Sequence, residues 1–251
     1  MIYSHQIKHN IDPNKEDPKT STILLGTLLA YPDTEIWTIL YNAISEKKQL
    51  MKDVGSLKYY EFWPKWDKEG TLNSSYVEPD LFLSFDKLDV IIEAKRSENN
   101  GQYEDEWWRE LRSYHNEYNP KVNPILISVG GNSNSKIEEL DIDQFGIHKV
   151  YKCSWLSLLL SVMEKREQFS REHQSHFVRL SDMLIMGFNM HNVMFFKWMD
   201  SIVFRDIRPD SFSVINGFFK SKKNRINWYS PLFNKPIQVN SIHKLQKYFN
   251  E

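Results

Sequence analysis

The sequence predicts an α/β protein with a mixed β-sheet flanked by helices and a mainly helical C-terminal region. Three observations support this fold class. Segments with helix and strand patterns follow one another as helix, antiparallel strands, helix and strand. Two short apolar runs separated by two polar residues predict a β-hairpin. A later run, Pro124 to Val129, is apolar almost throughout, as in a strand buried on both faces.

The remaining elements are predicted from their capping residues and apolar spacing. Thr20 or Ser21 is expected to cap the first helix, and Tyr31-Pro32-Asp33 interrupts it. Thr34 is the expected N-cap of a second helix with one apolar face. The elements expected further along the chain are an aromatic strand within 55–66, a helix over 102–118, strands over 124–129 and 147–152, and helices over 154–165 and 179–190.

The predicted hairpin brings charged residues together. Its strands are Leu81 to Phe85 and Leu88 to Ala94, and the intervening Asp-Lys pair forms the turn. Counting back from the turn places Asp80 opposite Glu93, at a Cβ separation of about 5 Å. Lys95 lies two residues beyond Glu93 and therefore on the same face of the strand. Opposed carboxylates repel each other, so this arrangement favours a bound cation; in the alternative interpretation the hairpin edge is merely solvated and Lys95 pairs with Glu78.

Pro79-Asp80 followed by Glu93-Ala94-Lys95 resembles the motif of the PD-(D/E)xK nuclease superfamily. The resemblance implies a restriction-endonuclease-like core, with Asp80 and Glu93 binding Mg²⁺, for which Mn²⁺ could substitute. It also implies that the main-chain carbonyl of Ala94 helps to hold the metal. Lys95 would position or activate the attacking water and steady the phosphate.

Further acids and polar side chains are candidates for the same site. Many members of the superfamily supply a third acid from the first helix, and here either Glu16 or Glu35 could take that place. Glu16 is preferred, because Glu35 is also explained as an acid that stabilises the start of a helix. By its position after the motif, Gln102 resembles the site-supporting glutamine of the family.

Basic residues predict contacts with nucleic acid. Residues 201–251 contain nine Lys and Arg against three Asp and Glu, although the whole chain has a net charge of −1. A basic stretch there lies between aromatic residues, which can stack on bases. The candidate phosphate contacts are Arg96, Arg109 and Arg112 near the motif, and Lys220, Lys222, Lys223 and Arg225 in the basic stretch.

Composition excludes several other classes of protein. The single cysteine, Cys153, rules out an internal disulfide and a four-cysteine zinc site, and it suits the reducing cytoplasm. The longest apolar segments are too short to span a bilayer, so no membrane association is expected. No glycine-rich phosphate-binding loop is present in the sequence.

These observations predict a nuclease-like core over residues 1–153 and a mostly helical extension over 154–251. The expected activity is metal-dependent hydrolysis of phosphodiester bonds, in DNA, by an endonuclease. The resemblance suggests restriction or anti-phage defence, with a homodimer or a partner protein as further options. The alternative is a catalytically silent nucleic-acid-binding or assembly module of a multi-protein defence or mobile-element system.

Overall fold

A six-stranded mixed β-sheet forms the centre of the protein. The structure, a computed structural model, describes residues 16–98, 101–118 and 123–195. The strands lie across the sheet in the order β1-β2-β3-β4-β6-β5. Their bounds are β1 Leu57–Phe62, β2 Leu81–Phe85, β3 Asp89–Ala94, β4 Ile125–Val129, β5 Glu138–Asp141 and β6 Ile147–Cys153. The predicted α/β class with a mixed sheet is confirmed, while the short edge strand β5 was not predicted.

The sheet has an antiparallel half and a parallel half. Strands β1, β2 and β3 form an antiparallel meander, and β3, β4 and β6 run parallel to one another. Strand β5 pairs antiparallel with β6 at the far edge. The three parallel strands therefore end at the same edge of the sheet, which is where α/β proteins commonly place ligands.

The predicted hairpin register is confirmed. Leu81 pairs with Ile92, so the next position outwards places Asp80 against Glu93. The Asp-Lys turn is not a favoured pair for a hairpin. The segment before β1 stabilises the turn by two hydrogen bonds. The backbone N–H of Asp86 donates to the Ser56 carbonyl at 3.2 Å, and that of Lys87 donates to the Val54 carbonyl at 3.0 Å.

In the described part of the chain, five helical regions surround the sheet, besides the single 3₁₀ turn Asp143–Phe145. The first, α1, runs through three consecutive segments, the middle one a π-helical turn. The bounds are α1 Glu16–Thr20, Ser21–Leu25 and Gly26–Ala30, α2 Asp33–Ala43, α3 Glu104–Glu117, α4 Trp155–Arg171 and α5 Ser175–Met190.

The predicted N-caps of the first two helices are wrong. Thr20 has the helical angles φ −54° and ψ −53°, because α1 already begins at Glu16. Ser21 likewise lies inside the helix. Thr34 is the second residue of α2, since the extended Pro32 occupies the cap position and fixes the start of the helix.

Each face of the sheet has its own apolar core. The larger core lies between one face and helices α1, α2, α4 and α5, with Trp155 and Phe188 fully buried. The smaller core lies between the other face and α3, where Trp107, Leu111 and Tyr114 repeat at the spacing of a helix face. Central strand β4 is buried along its whole length, which explains its continuous apolar sequence.

The helices predicted after residue 153 are confirmed as far as Met190. The hydroxyl of Ser154 caps α4 by accepting from the Ser157 backbone N–H at 2.9 Å. Residues 16–195 belong to one compact unit. The division into 1–153 and 154–251 stays a prediction, because residues 196–251 lie outside the described part of the chain. No helix among the described residues is both long and apolar enough to cross a bilayer.

Candidate active site at the end of the β2–β3 hairpin

Asp80 is held in a fixed orientation immediately before β2. Its Oδ1 accepts a hydrogen bond from Trp63 Nε1 at 3.0 Å, and its Oδ2 accepts from the backbone N–H of Ala94 at 2.9 Å. Asp80 is 7% exposed. The carboxylate is thus oriented by hydrogen bonds from two neighbouring strand ends.

Glu93 and Lys95 project from the end of β3 towards α3. Lys95 Nζ lies 2.5 Å from Glu93 Oε1 and 3.0 Å from Glu106 Oε1. Both residues share the sheet face of Ile91, which packs in the α3 core. The predicted convergence of Asp80, Glu93 and Lys95 is therefore present at one strand end, and α3 adds a further carboxylate to it.

A second glutamate of α3, Glu110, is buried against this group. It is 3% exposed and its carboxyl is hydrogen-bonded to that of Glu93. Since two carboxylates cannot hydrogen-bond without a proton, and the pKa of both is raised, this pair favours a bound proton at neutral pH. The Oε2 atoms of Glu106 and Glu110 are buried and find no hydrogen-bond partner among the described residues. Negative charge at this site therefore exceeds what Lys95 balances.

Burial and the neighbouring charges also shift the pKa values of Glu93, Glu110 and Lys95. Burial raises the pKa of the Glu93 carboxyl well above its usual range and the charge of Glu110 adds to this, while Lys95 opposes it. Burial raises the pKa of Glu110 to about 8, against its hydrogen bond with Glu93 and with further repulsion from Glu106. Burial lowers the pKa of Lys95, but its two carboxylate neighbours outweigh burial and raise this pKa. Lys95 is therefore a cation at neutral pH.

Gln102 stabilises the end of β3 through side-chain hydrogen bonds. Its Nε2 donates to the Glu93 carbonyl at 3.1 Å and to the Gly130 carbonyl at 3.3 Å, and its Oε1 accepts from Trp107 Nε1 at 2.7 Å. The side chain thus connects β3, the loop after β4 and α3, a contact that fits its expected supporting position.

The other predicted residues lie in different surroundings. Arg96 follows Lys95, and its main-chain carbonyl accepts from Lys19 Nζ at 2.9 Å. Arg109 donates to Asn73 Oδ1 at 3.0 Å, and Arg112 donates to Asn116 Oδ1 at 2.6 Å. Both arginines are thus tied to neighbouring polar residues in this structure.

The two candidates for the third acid are not equally described. Glu35 Oε2 lies 2.6 Å from Nζ of the buried Lys165 in α4, and this ion pair links helices α2 and α4. Glu16 is the first residue of α1, and its side chain lies outside the described part of the structure. The basic residues Lys220, Lys222, Lys223 and Arg225 also lie outside the described residues.

The donor set suits Mg²⁺ in its chemistry. Asp80 and Glu93 offer hard carboxylate oxygens, and Mg²⁺ is commonly held by one or two carboxylates, with water and substrate phosphate completing the octahedron. The uncompensated buried oxygens of Glu106 and Glu110 also indicate a place where positive charge would be stabilised. No group of three Asp, Glu, His or Cys side chains among the described residues is already arranged to hold a metal.

The pairing of Glu110 with Glu93 was missed by the sequence analysis. A signal was available: Glu110 lies three residues after Trp107 and four residues before Tyr114, so it shares their apolar face of α3. Trp63, which orients Asp80, has no such signal. It reaches the carboxylate from the loop after β1, with the unusual φ of +52°.

Comparison with known proteins adds a relative without assigning a family. No family model matches the chain, and no solved structure matches it. An uncharacterized protein of Pasteurella multocida (strain Pm70) is 31% identical over 132 residues, which cover 52% of this chain and 48% of that protein. The match thus spans about half the length of each protein.

Proposed function

We propose that this protein is a Mg²⁺-dependent nuclease that hydrolyses phosphodiester bonds in DNA on a restriction-endonuclease-like core. One observation carries the proposal: Asp80, Glu93 and Lys95 converge at the end of the β2–β3 hairpin, with both carboxylates largely buried. The order of a meander, a helix and a parallel strand beside it supports the same core.

Each residue has a distinct part in the proposed reaction. Asp80 and Glu93 would hold the metal, assisted by the Ala94 carbonyl. Bound Mg²⁺ would acidify a water molecule and offset charge on the phosphate. Lys95 keeps its proton at neutral pH, so it would donate hydrogen bonds to the scissile phosphate and orient the water rather than accept a proton from it. Asp80 needs little reorganisation, because Trp63 and Ala94 already orient it.

The decisive experiment is cleavage of plasmid, linear double-stranded and single-stranded DNA with Mg²⁺, Mn²⁺ or EDTA. We expect cleavage that requires the metal. The substitutions Asp80→Asn, Glu93→Gln and Lys95→Gln should each lower the rate by at least about 100-fold, because each removes a charge that acts on the reacting phosphate.

The matched control is Glu104→Gln, an exposed acid in the first turn of α3 that has the same charge change. It should cleave like the wild type. Metal-dependent cleavage that persists unchanged in Asp80→Asn and Lys95→Gln would falsify the assignment. Absence of cleavage together with absence of Mn²⁺ binding in calorimetry would favour the binding or assembly module instead.

A further inference from the structure

Lys95 lies between two carboxylates that come from different elements. Its Nζ is 2.5 Å from Oε1 of Glu93 on β3 and 3.0 Å from Oε1 of Glu106 on α3. In the proposed nuclease, Glu93 binds the metal and Lys95 acts beside it. Glu106 is outside the sequence motif, so its contact with Lys95 calls for a separate explanation.

The carboxylate of Glu93 is engaged by protein groups already. Its Oε1 accepts a hydrogen bond from Lys95, and the carboxyl is also hydrogen-bonded to that of Glu110. A divalent cation on Glu93 would lie close to the Lys95 ammonium, and positive charges at such short range repel each other. Binding of the metal to Glu93 therefore favours a movement of the ammonium away from Glu93 Oε1.

Glu106 is suited to take over the ammonium. Its Oε1 already contacts Lys95, and its Oε2 is buried and finds no hydrogen-bond partner among the described residues. Glu106 lies in the first turn of α3, where the helix terminus stabilises a negative charge. Its side chain is 32% exposed, against 6% for Glu93, so burial disfavours its charged form less. A short shift of the ammonium towards Glu106 would thus keep Lys95 paired while it leaves Glu93.

The start of α3 is fixed relative to the end of β3. Gln102 Nε2 donates to the Glu93 carbonyl at 3.1 Å, and Gln102 Oε1 accepts from Trp107 Nε1 at 2.7 Å. The backbone that carries Glu106 is therefore held beside the strand end, and only side chains have to move for the exchange.

We propose that Glu106 is a positioning residue, which receives the Lys95 ammonium when Glu93 binds the metal and keeps that ammonium in place. The inference rests on the proposed nuclease function and deepens it. Lys95 keeps its proton throughout, so the exchange makes and breaks hydrogen bonds alone. Glu106 would thus allow the site to hold a metal ion and a lysine cation side by side.

Mn²⁺ binding measured by calorimetry tests the exchange without cleavage. The full chain is titrated at neutral pH as wild type, Glu106→Gln, Lys95→Met and the double variant. Glu106→Gln should weaken Mn²⁺ binding about tenfold, because Lys95 then stays on Glu93. Lys95→Met should tighten binding, since it removes the competing ammonium. In the Lys95→Met background, Glu106→Gln should change the affinity by less than about twofold.

Glu104→Gln is the matched control. It makes the same change of charge in the same turn of α3, at an exposed position. It should bind Mn²⁺ within about twofold of the wild type, because solvent and salt screen an exposed charge. The comparison separates the contact with Lys95 from a general loss of negative charge near the metal.

A second measurement follows Lys95 itself and needs only the Glu106 variant. The wild type and Glu106→Gln, both isotope-labelled, are saturated with Mg²⁺, and NMR records the ammonium resonance assigned through the side-chain carbons of Lys95. The resonance should remain visible in the wild type, because an ammonium in a fixed ion pair exchanges its protons slowly with water. It should be lost in Glu106→Gln, because Glu93 then holds the metal and position 106 no longer offers a negative charge.

Three outcomes overturn the inference: equal Mn²⁺ affinity of Glu106→Gln and the wild type, an equal effect of Glu106→Gln with and without Lys95, or a Lys95 resonance that Mg²⁺ affects alike in both proteins. Any of these together with loss of cleavage in Asp80→Asn and Lys95→Gln retains the nuclease and rejects the exchange. The expected coupling without cleavage of any DNA retains the exchange and rejects the nuclease. Absence of Mn²⁺ binding by the wild type rejects both.

Discussion

At the scale of single residues, Glu110 is the most deeply buried carboxylic acid of the described residues. Its pKa is raised to about 8 by burial, and its Oε2 is buried without a partner among the described residues. Burying an acid in this way is unfavourable unless it stays protonated or gains a positive partner. Glu110 is therefore protonated at neutral pH, and it would lose its proton only at alkaline pH or beside an added positive charge.

Glu110→Gln should change how stability depends on pH. The pKa of Glu110 is raised to about 8 in the folded protein, so the folded state binds more protons than the unfolded state between about pH 4.5 and 8. Stability should consequently fall as pH rises through this window, by up to about 1.4 kcal/mol per unit. The glutamine variant lacks this ionisation. In EDTA, the slope of its unfolding free energy against pH should therefore correspond to about one proton fewer than in the wild type.

Urea denaturation at pH 5, 6, 7 and 8 measures the effect. The exposed acid Glu104 lies on the same helix, and Glu104→Gln should keep the slope of the wild type. A Glu110→Gln variant with the wild-type pH slope would contradict the raised pKa of Glu110.

At the scale of elements, the loop after β4 determines how the strand ends fit together. Gly130 has φ +67°, and a Cβ at this position would lie 2.6 Å from the Lys95 carbonyl oxygen and 2.8 Å from that of Ser97. These are backbone atoms, held by the bonds that join β3 to its neighbours, so they cannot move aside easily. The loop approaches the end of β3 so closely that position 130 has room only for a residue without a side chain.

Gly130→Ala should therefore destabilise the protein by about 3 kcal/mol, combining a strained φ with a backbone clash. Gly146 provides the control. It has a similar φ of +77°, but nothing lies within 4 Å of an added Cβ. Gly146→Ala should destabilise by less, about 2 kcal/mol, because it has the unfavourable angles φ +77° and ψ −163° but no clash. Equal urea midpoints for the two variants would show that the close approach at Gly130 is unimportant.

At the scale of the whole molecule, one contact between helix and sheet makes stability sensitive to acid. His115 of α3 and His148 of β6 lie with their Nε2 atoms 2.8 Å apart, and His148 Nδ1 lies 2.9 Å from the Gly146 carbonyl. His148 thus carries its proton on Nδ1 and accepts from His115. Burial lowers the pKa of both imidazoles, to about 4 for His115.

Because these pKa values are depressed on folding, the unfolded chain binds more protons below about pH 6.5. The stability contributed by the neutral pair is present above that pH and should be lost as pH falls towards 4. Thermal unfolding at pH 7.5 and 5 measures the loss. His115→Gln should be less stable than the wild type at pH 7.5 but should show a smaller drop at pH 5. An equal drop in both proteins would exclude the pair as its source.

Much of this architecture follows from local patterns in the sequence. The hairpin register was predictable because side chains alternate with period two and a two-residue turn fixes which positions face each other. The apolar run of β4 indicated a strand buried on both faces. The caps at Thr20 and Thr34 were predicted wrongly, because Ser and Thr are common inside helices as well as at their starts, and the preceding residues determined where each helix begins.

The sequence by itself therefore determined the fold class, the hairpin and the meeting of Asp80, Glu93 and Lys95, because these features depend on residues close together in the chain. Only the tertiary structure decided that Glu106 and Glu110 of α3 join this group, and that Lys19 meets the Arg96 carbonyl across 77 residues of chain. The physical reason is the parallel sheet: strands β3, β4 and β6 are joined by crossovers, and their shared end brings together side chains that no local period connects.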